Sequence, residues 1–127
     1  MTERVSRVVA VVGASSNRRK FGNRAVRAYL REGYTVIPIN PHESDVEGLK
    51  AYKSVLDVPG PIDMASFYVP PEVGETLIDE VARKGIPEVW LNPGADSDAL
   101  IARARSLSIK TIVACSIMAV GQNPYGL

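Results

Sequence analysis

Arg7-Val-Val-Ala-Val-Val12 runs straight into Gly13-Ala14-Ser15-Ser16-Asn17-Arg18-Arg19-Lys20-Phe21-Gly22-Asn23, and this junction decides the fold. The first stretch is an almost unbroken valine-rich run, the pattern of a strand covered on both faces, and so of a central strand in a parallel sheet. The second is a polar loop opened by glycine. It leads into a helix over Asn23–Arg31, with Ala25, Val26, Tyr29 and Leu30 placed inward and Gly33 standing where a left-handed C-cap belongs.

The same alternation continues outward. Tyr34–Ile39 reads as a second strand, and Pro38, which has no N–H for a ladder, moves it to a sheet edge. Residues 48–58 give a short extended piece, Leu49–Tyr52, and one helical turn from Ser54. Met64–Tyr68 is the third main strand, followed by a helix over Glu72–Lys84 with Val73, Leu77, Ile78 and Val81 inward and Gly85 at its end. Glu88–Leu91 and Thr111–Ala114 are two more strands. Between them lies a helix N-capped at Ser97, with Leu100, Ile101, Ala104 and Leu107 on one stripe. The reading is an α/β chain: a Rossmann-like, doubly wound parallel sheet of about five strands in three layers, with right-handed crossovers. Ligands in such sheets bind at the carboxyl ends of the strands, where the strand order reverses.

Length and composition agree with one domain over residues 1–127: 46% of residues are hydrophobic and 23% charged. The net charge of +1 excludes the uniformly basic surface of a dedicated nucleic-acid binder. Its distribution is uneven, because residues 1–33 hold Arg4, Arg7, Arg18, Arg19, Lys20, Arg24, Arg27 and Arg31 against only Glu3 and Glu32. Positive charge therefore gathers around the first loop and helix, either to meet an anion or as a solvated helix face. Cys115 is the single cysteine, which leaves neither a disulfide within the chain nor a thiolate-rich metal site. No apolar run has the length of a membrane span and no signal-peptide pattern opens the chain, so a cytoplasmic address with no membrane partner is expected.

The strand ends carry the chemistry. Gly13, Ala14, Ser15 and Ser16 offer backbone and hydroxyl donors ahead of a helix N-terminus, with Arg18, Arg19 and Lys20 in the same loop, a composition suited to phosphate. The loop is neither a Gly-x-Gly-x-x-Gly fingerprint nor a Walker loop. Strand two ends in Asn40-Pro41-His42, with no acid placed for a ribose diol; Glu43 lies beyond a proline turn, which counts against NAD. Strand three ends in Tyr68-Val69-Pro70-Pro71 and strand four in Trp90-Leu91-Asn92-Pro93-Gly94, both stiffened by proline. Convergent His, Asp and Glu side chains for acid–base work, and metal-spaced ligands, are missing from these ends, so no catalytic or metal residue is assigned.

Taken together, Val12-Gly13-Ala14-Ser15, Ile39-Asn40-Pro41, Tyr68-Val69-Pro70-Pro71 and Trp90-Leu91-Asn92-Pro93-Gly94 resemble the small free-standing CoA-binding proteins, which are similar to the N-terminal domain of the succinyl-CoA synthetase alpha subunit. The resemblance covers about residues 7–116. It implies CoA or an acyl-CoA as ligand, with Gly13, Ser15 and Ser16 beside the phosphates and Asn40 and Pro41 bordering the adenosine half. Val69 and Pro70 would line the adenine or pantetheine path, and Asn92, Pro93 and Gly94 the opposite wall. Arg18 and Lys20 are added on charge grounds, to neutralise the diphosphate and 3′-phosphate. Where the family commonly has Asp-Arg-Cys, this chain has Val113-Ala114-Cys115-Ser116. Cys115 accordingly reads as a small buried hydrophobe, with a thiol facing that of CoA as the alternative. A binding module without catalysis is the leading expectation, alone, as a homo-oligomer or beside an acyl-CoA-metabolising partner. A nucleotide-dependent (NAD or NADP) oxidoreductase, a partner subunit of an acyl-CoA synthetase and a nucleotide-binding regulator remain open.

Overall fold

The computed structural model describes residues 7–127, so the charges of Glu3 and Arg4 counted above lie outside the described residues. Five parallel strands form the main sheet: β1 (Val8–Val12), β2 (Thr35–Ile39), β5 (Met64–Phe67), β6 (Glu88–Leu91) and β7 (Lys110–Val113), in the order β2-β1-β5-β6-β7. A separate two-stranded hairpin, β3 (Asp45–Val46) with β4 (Leu49–Lys50), interrupts the crossover from β2 to β5. The helices are α1 (Phe21–Arg31), α2 (Pro71–Lys84), α3 (Asp98–Ser106) and the short α4 (Ser116–Ala119), with single 3-10 turns at Val55–Asp57 and Pro124–Gly126. The expected Rossmann-like α/β fold is what the chain adopts.

Strand β1 is buried from Val9 to Val12 because both its faces are covered. Ala10 and Val12 join the core with Phe67, Ile78, Val81, Leu91 and Leu100, on the side of α2 and α3. Val9 and Val11 join Ala25, Val26, Tyr29 and Ile117, on the side of α1 and α4. Alternation along one strand thus feeds the two cores of a three-layer fold. Edge strand β2 tolerates Pro38, as expected from the missing donor.

Two inward assignments are corrected. Leu30 is 40% and Val73 is 41% exposed. In α1 the buried stripe runs through Gly22, Ala25, Val26 and Tyr29, and in α2 through Gly74, Ile78 and Val81; one residue of helical rotation carries Leu30 and Val73 off those stripes. Helix α1 also starts two residues earlier than the spacing suggests. The turn from Ser54 is present as a 3-10 turn, with the Ser54 hydroxyl accepting from the Leu56 N–H. Among the described residues, no helix is long and apolar enough to cross a membrane.

Strand order reverses between β1 and β5, and the backbones close tightly there. Gly13 sits at φ +94°, and a Cβ on it would fall 2.7 Å from the Tyr68 carbonyl oxygen. The Gly13 N–H donates to Ile39 O at 3.0 Å and the Tyr68 N–H to Val12 O at 2.8 Å, so the three loops that leave β1, β2 and β5 start from fixed positions.

Candidate functional site

A cleft of about 440 Å³ opens at this reversal point, lined by Gly13, Ser15, Lys20, Asn40, Val69, Pro70, Pro93 and Gly94, together with Phe21, Gly22, Tyr68 and Ala95. Four strand ends therefore converge on one concavity, in the place the topology reserves for ligands.

The floor is the loop after β1. Asn40 Nδ2 donates to Ala14 O at 2.8 Å and Asn23 Nδ2 to Ser15 O at 2.9 Å, so both carbonyls are engaged by side-chain amides. Ser15 Oγ accepts from the Asn17 N–H at 3.0 Å, which curls the loop toward α1. Helix α1 then begins after Lys20, its N-cap, without any side-chain cap and without an acid in its first turn. The N–H groups of Ser15, Phe21 and Gly22 have no acceptor among the described residues. Uncapped helix donors beside a glycine-opened loop have the geometry that suits an anion. Gly22 makes the close approach possible, since a Cβ there would lie 2.1 Å from Gly13 O.

The cations of this loop divide into separate tasks. Lys20 lines the cleft. Arg18 points away, pairing through Nε with Glu47 at 3.4 Å. Arg27 donates to Asn23 Oδ1 at 2.8 Å and to Arg18 O at 3.0 Å, bracing the loop from behind; partial desolvation, and then the charge of Arg18, holds its guanidinium below the ordinary value. Arg24 lies over the Phe21 ring at 5.1 Å and donates to Pro124 O at 3.2 Å.

Ser16 is not free. The Glu43 carboxylate accepts from both its N–H and, at 3.0 Å, its hydroxyl. Glu43 was expected to stay beyond the proline turn, but the turn instead folds the acid back onto the loop. Pro41 and His42 are exposed and outside the cleft lining, and the His42 N–H donates to Asn40 Oδ1 at 2.7 Å. Ala14 is fully buried beneath the loop.

Asn92, expected on the wall, is only 2% exposed and lines not the cleft but the apolar pocket beside it. Its amide donates to Ser66 Oγ and to Phe67 O, each at 2.9 Å, while Oδ1 accepts from the Ser116 N–H at 2.8 Å and its hydroxyl at 3.0 Å. All its hydrogen-bonding capacity is spent inside the protein. Ser116 Oγ also meets Ser66 Oγ at 2.8 Å and Tyr68 Oη at 2.9 Å, so the network fixes Tyr68, which does line the cleft. Burial pushes the Tyr68 phenol well above its ordinary pKa, the Ser116 hydrogen bond opposing only in part. Tyr29 is raised for the same reason; its hydroxyl lies near Ser116 and Ser66 without a hydrogen bond of ordinary geometry.

Of the residues the sequence reading missed, Phe21 and Gly22 follow directly from an uncapped helix start, and Tyr68 opens a motif already quoted. Ala95 carries no signal. Cys115 is half-buried rather than enclosed, and lines a second, apolar pocket that shares Phe21, Tyr68 and Pro93 with the cleft.

The acetate–CoA ligase (ADP-forming) II subunit alpha of Pyrococcus furiosus is 37% identical over 84 residues, covering 65% of this chain, which spans only 18% of that subunit's length. A conserved hypothetical protein from Pyrococcus furiosus superposes with a TM-score of 0.82 at 31% identity, covering 91% of this chain and 99% of that one. A dinucleotide-forming acetyl-coenzyme A synthetase of Ca. Korarchaeum cryptofilum, solved with phosphate and ADP, gives 0.75 at 31% identity, over 84% of this chain and 25% of that one. A family model described as a CoA binding domain matches residues 7–122, and the chain belongs to that family.

Proposed function

We propose that the chain binds coenzyme A or an acyl-CoA in the cleft between β1 and β5, as a binding module without chemistry of its own. The observation that carries this reading is the uncapped start of α1, whose Phe21 and Gly22 N–H groups join that of Ser15 and the Lys20 ammonium around one cleft in a chain of this family. The diphosphate would rest on these donors, the adenosine half toward Asn40, and the pantetheine arm along Val69–Pro70 and Pro93–Gly94. Of the two cations singled out for phosphate, Lys20 takes the role. Arg18 is held by Glu47.

Thermal melts with CoA, NAD, NADP and ATP test the reading. Ligand at one hundred times its Kd adds about 2.7 kcal/mol to stability, a clear upward shift in Tm. CoA is expected to stabilise and the others to do little. Stabilisation by NAD without CoA would overturn the proposal and favour the oxidoreductase alternative. Lys20→Glu is expected to weaken CoA. A larger loss for CoA than for 3′-dephospho-CoA would place Lys20 at the 3′-phosphate, and equal losses at the diphosphate.

A second reading, that the module serves a separate acyl-CoA synthetase partner, is supported by the ligase subunit whose remaining length this chain does not span. Co-purification with an ATP-dependent acyl-CoA-forming activity tests it.

A further inference from the structure

Beside the cleft lies a pocket of about 320 Å³ walled by Phe21, Tyr68, Pro93, Cys115, Met118 and Tyr125. The two spaces share Phe21, Tyr68 and Pro93, so they form one path with a change of character along it. Donors and charge collect at the Ser15, Lys20 and Asn40 end. The far end is apolar, and a ligand anchored by phosphates at the first end could extend its other terminus into the second.

The apolar end is held open by a specific construction. Arg24 reaches across to Pro124 O at 3.2 Å, a contact 100 residues apart in sequence, and its guanidinium lies over Phe21. Asn123 Oδ1 accepts from the Tyr125 N–H at 3.0 Å, and the Tyr125 ring meets Phe21 edge-on at 6.3 Å. The turn at Pro124–Gly126 is thereby pinned against α1 as an outer wall. Yet Phe21, Met118 and Tyr125 remain 45%, 65% and 82% exposed, a concentration of large, solvent-facing apolar side chains at one rim among the described residues. A bare thiol is too small to use this space. A water-sized group takes about 30 Å³, so 320 Å³ accommodates a thioester and several methylenes.

Resting on the CoA reading above, we propose that this pocket receives the acyl chain of an acyl-CoA, preferring chains of about four to eight carbons. Each methylene fully buried contributes about 0.8 kcal/mol, roughly a fourfold gain in affinity; in a pocket open on one side about twofold is expected.

Isothermal titration of the full chain with CoA, acetyl-CoA, butyryl-CoA, hexanoyl-CoA and octanoyl-CoA, each kept monomeric, tests this. Affinity should rise at least about tenfold from acetyl to hexanoyl. Met118→Ser, at a position too exposed to threaten folding, should flatten that rise. CoA binding with no dependence on chain length would overturn the acyl pocket and leave the CoA reading standing. A rise that Met118→Ser leaves intact would place the chain elsewhere and also overturn it. No binding of any CoA species would overturn the underlying reading.

Discussion

Replacing Asn92 by alanine separates a scaffold from a ligand contact. Asn92 is buried and spends its amide on four partners: Ser66 Oγ, Phe67 O, the Ser116 N–H and the Ser116 hydroxyl. The hydroxyls have one another and Tyr68 to fall back on. The Ser116 N–H does not, and leaving one buried group unsatisfied costs about 1–3 kcal/mol, with the lost bonds to Ser66 and Phe67 adding to it. A total of about 2–4 kcal/mol corresponds, for a chain of this length, to a fall in Tm of roughly 10 °C. Thermal unfolding followed by circular dichroism measures it, and calorimetric titration with CoA well below the new Tm measures affinity on the folded fraction. Asn92→Asp should be no better, because it turns both donors into acceptors and buries a carboxylate. A Tm within about 2 °C of the parent together with a tenfold loss of CoA affinity would refute the reasoning and return Asn92 to the ligand.

Gly22→Ala forces a Cβ toward Gly13 O, at 2.1 Å without relaxation, so it should cost at least about 2 kcal/mol in denaturant unfolding and should weaken CoA in parallel. Glu43→Gln keeps an acceptor for Ser16 and removes a negative charge from the loop. With about 1 kcal/mol of repulsion relieved, the Kd for CoA should fall roughly fivefold at low salt, and an unchanged or higher Kd would show that Glu43 does not oppose the phosphates. Tyr29 and Tyr68 both hold their protons more tightly folded than unfolded, so the stability they contribute is complete below about pH 10 and is lost as pH rises through the folded values. Alkaline melts should show that decline, and the Tyr29→Phe, Tyr68→Phe double variant should show less of it.

What could be read from the sequence was governed by short-range periodicity. Val8–Val12 announces a strand covered on both faces because no polar residue interrupts it, and Gly13 marks its end because the chain must turn against Tyr68 at positive φ. Leu30 and Val73 went astray by a single helical step, within the tolerance of any apolar stripe. Helix α4, four residues long, and the turn at Pro124–Gly126 have too little length for a period, although they wall the apolar pocket. The loop's charges were legible as a cluster but not as a division of labour. Whether Arg18 or Lys20 faces the cleft depends on Glu47, and the state of Ser16 depends on Glu43, acids returned to the loop by the turn after β2 and the small hairpin. Asn92 shows the same limit. Proline and glycine beside it signalled a rim, while its direction was set by Ser66 and Ser116, far away in sequence.

The most direct test is a crystal structure of the chain soaked or grown with coenzyme A. The account expects the diphosphate within hydrogen-bonding distance of the Ser15, Phe21 and Gly22 N–H groups, with Lys20 turned onto a phosphate. CoA bound on another face, with those three donors still unmet, would contradict it.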